Sequence, residues 1–125
     1  YGDATGRRMQ TAGTSDYRIV QEFFQRAGYG MVTYKIPAAN PLVRERVSLV
    51  NGKLRTAAGE QCLLVDRKCG ELIKDLEEVS YKAESNVIDK DKDPRRTHLS
   101  DALGYLVWQE CRPQAPAGEQ SQRLL

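Results

Sequence analysis

The chain has 125 residues, of which 40% are hydrophobic and 29% charged, and its 19 Lys+Arg against 17 Asp+Glu leave a formal net charge of +2. That length supports one modest core and excludes a multidomain machine, and no apolar run approaches the roughly 20 residues that a membrane-spanning helix needs. The near-neutral balance excludes a domain-wide basic coat for nucleic acid, so any such contact has to be local, and without an Arg-led apolar leader a cytosolic location is expected.

Read in chain order, Tyr1-Gly2-Asp3-Ala4-Thr5-Gly6 looks like a strand stub ending at Asp3 and running into a polar loop. Val20, Phe23, Phe24 and Ala27 then recur on one helical face, which predicts a helix from about Asp16 to Ala27, capped by Thr14 or Ser15 and ended by Gly28. Met31 to Ile36 alternates and is rich in β-formers, so it reads as a short strand stopping at Pro37.

Asn40 followed by Pro41 gives a cap and a first-turn proline, and Val43, Val47, Val50 and Leu54 extend a helix from Pro41 to about Thr56. Gln61 to Val65 is a compact apolar run expected as a strand covered on both faces, and Asp66 ends it, as a third possible acid or, more simply, by capping the next helix. Leu72, Ile73, Leu76 and Val79 predict that helix over about Lys68 to Val79. The polar stretch from Lys82 to Arg96 reads as a mobile loop of cancelling charges.

Thr97 caps a last helix to about Gln109, with Leu99, Ala102, Leu103 and Leu106 expected to face inward, and residues 112–125 read as a disordered tail after a single domain over residues 1–111. Strands alternating with helices predict an α/β layer, although only two confident strands and a stub are present. The opening on Tyr1 rather than Met suggests that further strands precede it. Cys62, Cys69 and Cys111 fit neither a disulfide framework nor a CxxC zinc site and are expected as buried, reduced thiols.

His98 and Asp101 stand three apart and share one face of the last helix, with Tyr105 extending it. Asp101 near the helix start can ligand a divalent ion or orient a water, or simply complement the positive helix end. Asp3, flanked by small residues, leaves room for a ligand to approach, or is an ordinary turn aspartate. Hard cations such as Mg²⁺ want oxygen ligands and are commonly held by one or two carboxylates. Arg44, Arg46, Lys53 and Arg55 give the middle helix a basic stretch, and Arg95 and Arg96 precede His98. These residues suit a phosphate backbone, or are a solvated helix face. No Gly-Lys-Ser/Thr follows the opening glycines and no Gly-x-Ser-x-Gly elbow occurs, which speaks against a P-loop ATPase site and a hydrolase triad.

Several blocks, in this order and spacing, resemble the C-terminal nuclease domain of the large terminase subunit of tailed bacteriophages and prophages. They are Tyr1-Gly2-Asp3-Ala4-Thr5-Gly6 with Arg8, Gln10 and Thr11; Thr14-Ser15-Asp16-Tyr17; Asn40-Pro41 with Arg46 and Asn51; and Leu63-Leu64-Val65-Asp66. Leu72 to Glu77 comes next, and the most specific block is Thr97-His98-Leu99-Ser100-Asp101-Ala102-Leu103-Gly104-Tyr105-Leu106. The resemblance runs to about Trp108.

The resemblance implies an RNase H-like α/β fold, here without its first strands, whose acids bind two Mg²⁺ or Mn²⁺ ions and cut concatemeric double-stranded DNA during packaging. By order of elements Asp3 matches the second acid and Asp101 the third, with His98 beside the site. The first acid is expected upstream of Tyr1, so the chain alone is expected to be a weak or inactive nuclease. Implied partners are the DNA, the portal protein, the small terminase subunit and an N-terminal ATPase domain of the same protein, in the host bacterial cytoplasm. The competing reading is a non-catalytic module or prophage remnant that docks on DNA or the portal.

Overall fold

The computed structural model describes residues 1–113 apart from 12, 86 and 90–92. Its helices are α1 (Asp16–Arg26), α2 (Val43–Leu54), α3 (Gly70–Glu78) and α4 (His98–Cys111), with 3₁₀ turns at Ala4–Arg7 and Pro94–Thr97. α4 is the centre of the fold: α2 packs along it, α3 packs on it from another side, and the Pro94–Thr97 turn delivers the chain into its first residue. α1 packs on the Ala4–Arg7 turn.

The helices form near where apolar spacing expects them, but of the expected side-chain caps only Ser15 acts as one. Ser15 caps α1, its side chain accepting from the Arg18 backbone N–H, and Gly28 beyond the helix adopts a φ of 80°, a conformation glycine takes without a Cβ penalty. α2 begins two residues later than expected, after Leu42, because the Asn40 side chain is used elsewhere: its Oδ1 accepts the Ala4 N–H at 2.6 Å. Asp66 makes a turn ahead of α3, accepting from the Lys68 N–H at 2.8 Å, while Cys69 occupies the position just before the helix. The Arg112–Pro113 step ends α4, and the expected tail from residue 114 onward lies outside the described residues.

The expected α/β sheet of an RNase H-like fold is overturned: among the described residues there is no strand, and the only β-type pairing is an isolated antiparallel bridge between Tyr81 and Ile88. The first segment keeps the alternation that suggested it, whereas the second, expected to be covered on both faces, alternates too and leaves Cys62 and Leu64 exposed. Val32 and Tyr34 are half-buried between exposed neighbours, as are Leu63 and Val65, and Ile36 is half-buried beside the buried Pro37. What they lack among the described residues is a partner. A strand is stabilised by the ladder to its neighbour, and neither segment finds one here. The N–H groups of Cys62 and Leu63 both reach the Lys53 carbonyl, at 2.9 Å each, which ties the second segment to the end of α2 instead.

Burial also departs from expectation. Among the described residues the buried hydrophobic side chains are Val50 and Val107, accompanied by the buried Pro37 and Gly104 and by three buried polar residues, Arg46, Asp75 and Thr97. α4 turns Gly104 and Val107 toward α2, so Leu99 and Leu106, expected inside, are exposed. The reason is local: Gly104 carries no side chain and lets α2 approach on that face. Cys62 and Cys69 are exposed free thiols and Cys111 is half-buried, correcting the expectation of buried cysteines.

Candidate functional site

The Ala4–Arg7 turn presents Asp3. As the residue before the turn, Asp3 receives the Gly6 N–H on its Oδ1 at 3.1 Å and the Thr5 hydroxyl on the same oxygen at 2.5 Å. Its backbone is fixed as well, because the Tyr17 hydroxyl donates to the Asp3 carbonyl at 2.6 Å. The same tyrosine accounts for the flanking glycines. A Cβ on Gly2 would overlap the Tyr17 hydroxyl, and one on Gly6 would lie 2.7 Å from the Tyr17 ring. The opening motif is thus a cradle for the α1 tyrosine, and Tyr17 in turn holds Asp3 in place.

α4 supplies the opposite wall. Its first turn is anchored from α3 by Asp75, only 2% exposed, whose Oδ2 accepts the Leu99 and Ser100 N–H groups at 3.0 and 3.2 Å. A buried carboxylate therefore does what Thr97, at the N-cap position, does not: Thr97 makes no side-chain cap, and its Oγ1 is buried without a partner among the described residues. With the turn so fixed, His98, Asp101 and Tyr105 line one open pocket of about 450 Å³ together with Asp3 and Tyr17. His98 is exposed at its rim.

Behind this wall lies Arg46. Its Nη2 is 2.6 Å from Asp101 Oδ1, its Nη1 donates to the Asp101 carbonyl at 2.9 Å, and its guanidinium carbon stands 4.5 Å from the centroid of the Tyr105 ring. Charge is correspondingly tuned. Burial alone would raise the Asp3 carboxyl, but the Thr5 hydroxyl, the Gly6 and Thr5 N–H groups and the Arg46 charge outweigh it and hold Asp3 below the usual carboxylate range. Burial pushes the Tyr105 phenol up; Arg46 opposes this, while Asp3 and Asp101 both add to it, so the two carboxylates act on one ring. The Tyr17 phenol is raised by burial and then by Asp3.

The structure thus brings together Asp3, His98 and Asp101, which the sequence singled out, although nearly the whole described chain separates the first from the other two. Of the basic residues only Arg46 meets them, through Asp101. Arg44 is exposed on α2, Lys53 is half-buried near its end, and Arg95 is exposed and paired with Asp93. Arg46 is 4% exposed. Arg96 is tied up in carboxylates, reaching Glu71 at 2.9 Å, Glu78 at 3.5 Å, Asp93 at 3.7 Å and Asp75 at 3.8 Å. Sequence reasoning missed Asp75 as the α4 cap, and Tyr17 beyond its place in a motif. Gly2 and Gly6, set on either side of an aspartate, were the available signal for a close ring contact.

The oxygen donors of Asp3 and Asp101 suit a hard cation, and two carboxylates are a usual protein share of a hydrated Mg²⁺ site. Among the described residues no group of three or more His, Cys, Asp or Glu side chains is arranged to hold a metal ion, although a third carboxylate, that of Asp16, also lines the pocket. No helix among the described residues is long and apolar enough to cross a membrane. No family model matches this chain, and neither a curated protein nor a solved structure matches it.

Proposed function

We propose that the chain belongs to a metal-dependent endonuclease of a phage DNA-packaging terminase, cutting concatemeric double-stranded DNA, with Asp3 and Asp101 as its acids and His98 beside them. The observation that carries this reading is the meeting of Asp3, His98 and Asp101 in one open pocket. The reading rests on that pocket and on the resemblance of the blocks around these residues, not on a sheet.

In this reading Asp3 and Asp101 hold a hydrated Mg²⁺ or Mn²⁺. Such an ion, when bound, polarises a phosphodiester and makes water a nucleophile near neutral pH. The remaining work falls to the chain itself. The hydrogen bonds to Asp3 Oδ1 keep that carboxylate ionised and pointed from the turn. Tyr17 and Tyr105 wall the pocket. His98, on the exposed first turn of α4, is the group available at the rim to give a proton to the leaving oxygen. DNA is held by exposed cations away from the pocket, with Arg44 and Arg95 the best placed by exposure and Lys53 at the edge of that surface. The working protein operates in the host bacterial cytoplasm with an ATPase domain of the same protein, the small terminase subunit and the portal.

The test is supercoiled-plasmid cleavage with Mn²⁺. The full-length protein is expected to cut and to lose cutting on Asp3→Asn or Asp101→Ala, while the chain alone cuts weakly or not at all. Full activity in the Asp101→Ala protein would remove the site assignment. A second reading, a non-catalytic packaging module that docks on DNA or the portal, is favoured by the Arg46 pairing, which already spends Asp101 Oδ1. It predicts DNA binding with no cleavage by the full-length protein under any divalent ion.

A further inference from the structure

We infer that Arg46 is the positioning residue of the Asp3–Asp101 pocket and not a DNA contact: it fixes the Asp101 carboxylate from behind. The inference rests on the reading of that pocket as a metal-binding site. A guanidinium 4% exposed cannot reach a phosphate without opening the α2–α4 interface. Both of its Nη groups are engaged with a single residue, one on the backbone carbonyl and one on the carboxylate of Asp101, and its plane lies near the Tyr105 ring. Two bonds to one residue fix orientation as well as distance, because the guanidinium fork is planar and rigid.

The sequence of α4 is built to admit this group. Asp101, Gly104 and Tyr105 lie three and four residues apart and so share a face. Gly104 is buried there, and a Cβ added to it would stand 2.6 Å from Arg46 Nη1 and 3.0 Å from Arg46 Cγ. The guanidinium occupies the space a side chain at 104 would take. Its Nε is buried and without a partner among the described residues, so the arrangement is not one of maximal hydrogen bonding for Arg46. What it optimises is the hold on Asp101. The same charge also reaches Asp3, so one cation on α2 serves both Asp3 and Asp101.

The substitution that separates positioning from charge is Arg46→Lys, which keeps the cation and removes the fork. The first readout is Mn²⁺ affinity without DNA, followed by electron paramagnetic resonance of the free ion. The second is DNA affinity without metal, measured across salt concentrations. Arg46→Lys is expected to weaken Mn²⁺ binding about tenfold, the lower end of the effect of disturbing a group that orients a metal ligand. Arg46→Gln is expected to leave the salt slope of DNA binding unchanged. Unchanged Mn²⁺ affinity in Arg46→Lys, or a salt slope about one unit shallower in Arg46→Gln, overturns the inference and returns Arg46 to the DNA contacts. Should the lysine variant not fold, Gly104→Ala displaces the same guanidinium with its charge intact and carries the same expectation. Asp101→Asn is the control for the pocket itself: if it binds Mn²⁺ like the parent, or the parent binds none, the metal-site reading fails whatever Arg46 does.

Discussion

Asp75 of α3 and Leu99 of α4 are joined by a hydrogen bond of 3.0 Å from the Leu99 N–H to the Asp75 carboxylate, so the cap of α4 comes from a different helix. The second oxygen-to-amide contact, from Ser100, completes the cap, and Arg96 lies 3.8 Å from the other carboxylate oxygen. Because the cap is buried, water cannot replace it. Asp75→Ala is therefore expected to destabilise the protein by about 2–3 kcal/mol, combining the loss of a cap with N–H groups left unsatisfied. Asp75→Asn, which keeps an acceptor and loses the charge, should cost about half as much. Urea midpoints at constant m-value measure both, and a loss under about 0.5 kcal/mol for Asp75→Ala would show that α4 starts without this cap.

Asp3 gives a pH dependence of definite sign. Its folded-state carboxyl is held below the ordinary value, so the unfolded chain takes up the proton first as pH falls. Stability from this group is present in full above about pH 4, the ordinary aspartate value, and is lost as pH falls from there through the lower folded value. Asp3→Asn keeps a good capping side chain while removing the titration. The fall in urea midpoint between pH 6 and pH 3 is expected to be smaller in Asp3→Asn than in the parent. Equal falls would mean that Asp3 carries no folding-linked proton.

Tyr17 and Gly6 should behave as one unit. Tyr17→Phe keeps the ring and loses the bond to the Asp3 carbonyl, for an expected cost of about 1 kcal/mol. Gly6→Ala drives a Cβ to 2.7 Å from the ring, which has to move and give up the same bond, at about 1–3 kcal/mol. The two changes damage the same contact, so the double variant should be less destabilised than the sum of the singles. Strict additivity would separate Gly6 from Tyr17.

The helices were legible because their signals are local. Ser15 three residues before Arg18, and apolar residues at helical spacing, need no knowledge of the rest of the chain. Asp3, His98 and Asp101 were legible for a related reason, since two share a helix face and the third stands among small residues. The sheet was not, because a strand depends on a neighbour that its own alternation does not specify, and residues 31–36 and 61–65 have the alternation without the neighbour. Asp75 was hidden for the opposite reason: between Lys74 and Glu77 it looks like one more charge on a solvated face, and only the placement of α4 buries it. Arg46 stands among Arg44, Lys53 and Arg55 in the sequence and differs from them in facing Gly104 and Asp101.

The same unpaired segments make a last prediction. Met31 is fully exposed and Leu64 is 79% exposed, each in a β-rich segment that has no strand partner among the described residues. A segment of that kind is a template for pairing with another chain, and Lys on it blunts the pairing. The 125-residue chain is therefore expected to bind the dye ANS at neutral pH and to associate as its concentration rises, and Met31→Lys with Leu64→Lys should reduce both. Neither substitution touches α2, α3 or α4, so helical circular dichroism should be unchanged. A chain that stays monomeric at high concentration and binds no dye would show that these segments are covered in solution, and the cover would then have to come from residues outside those described.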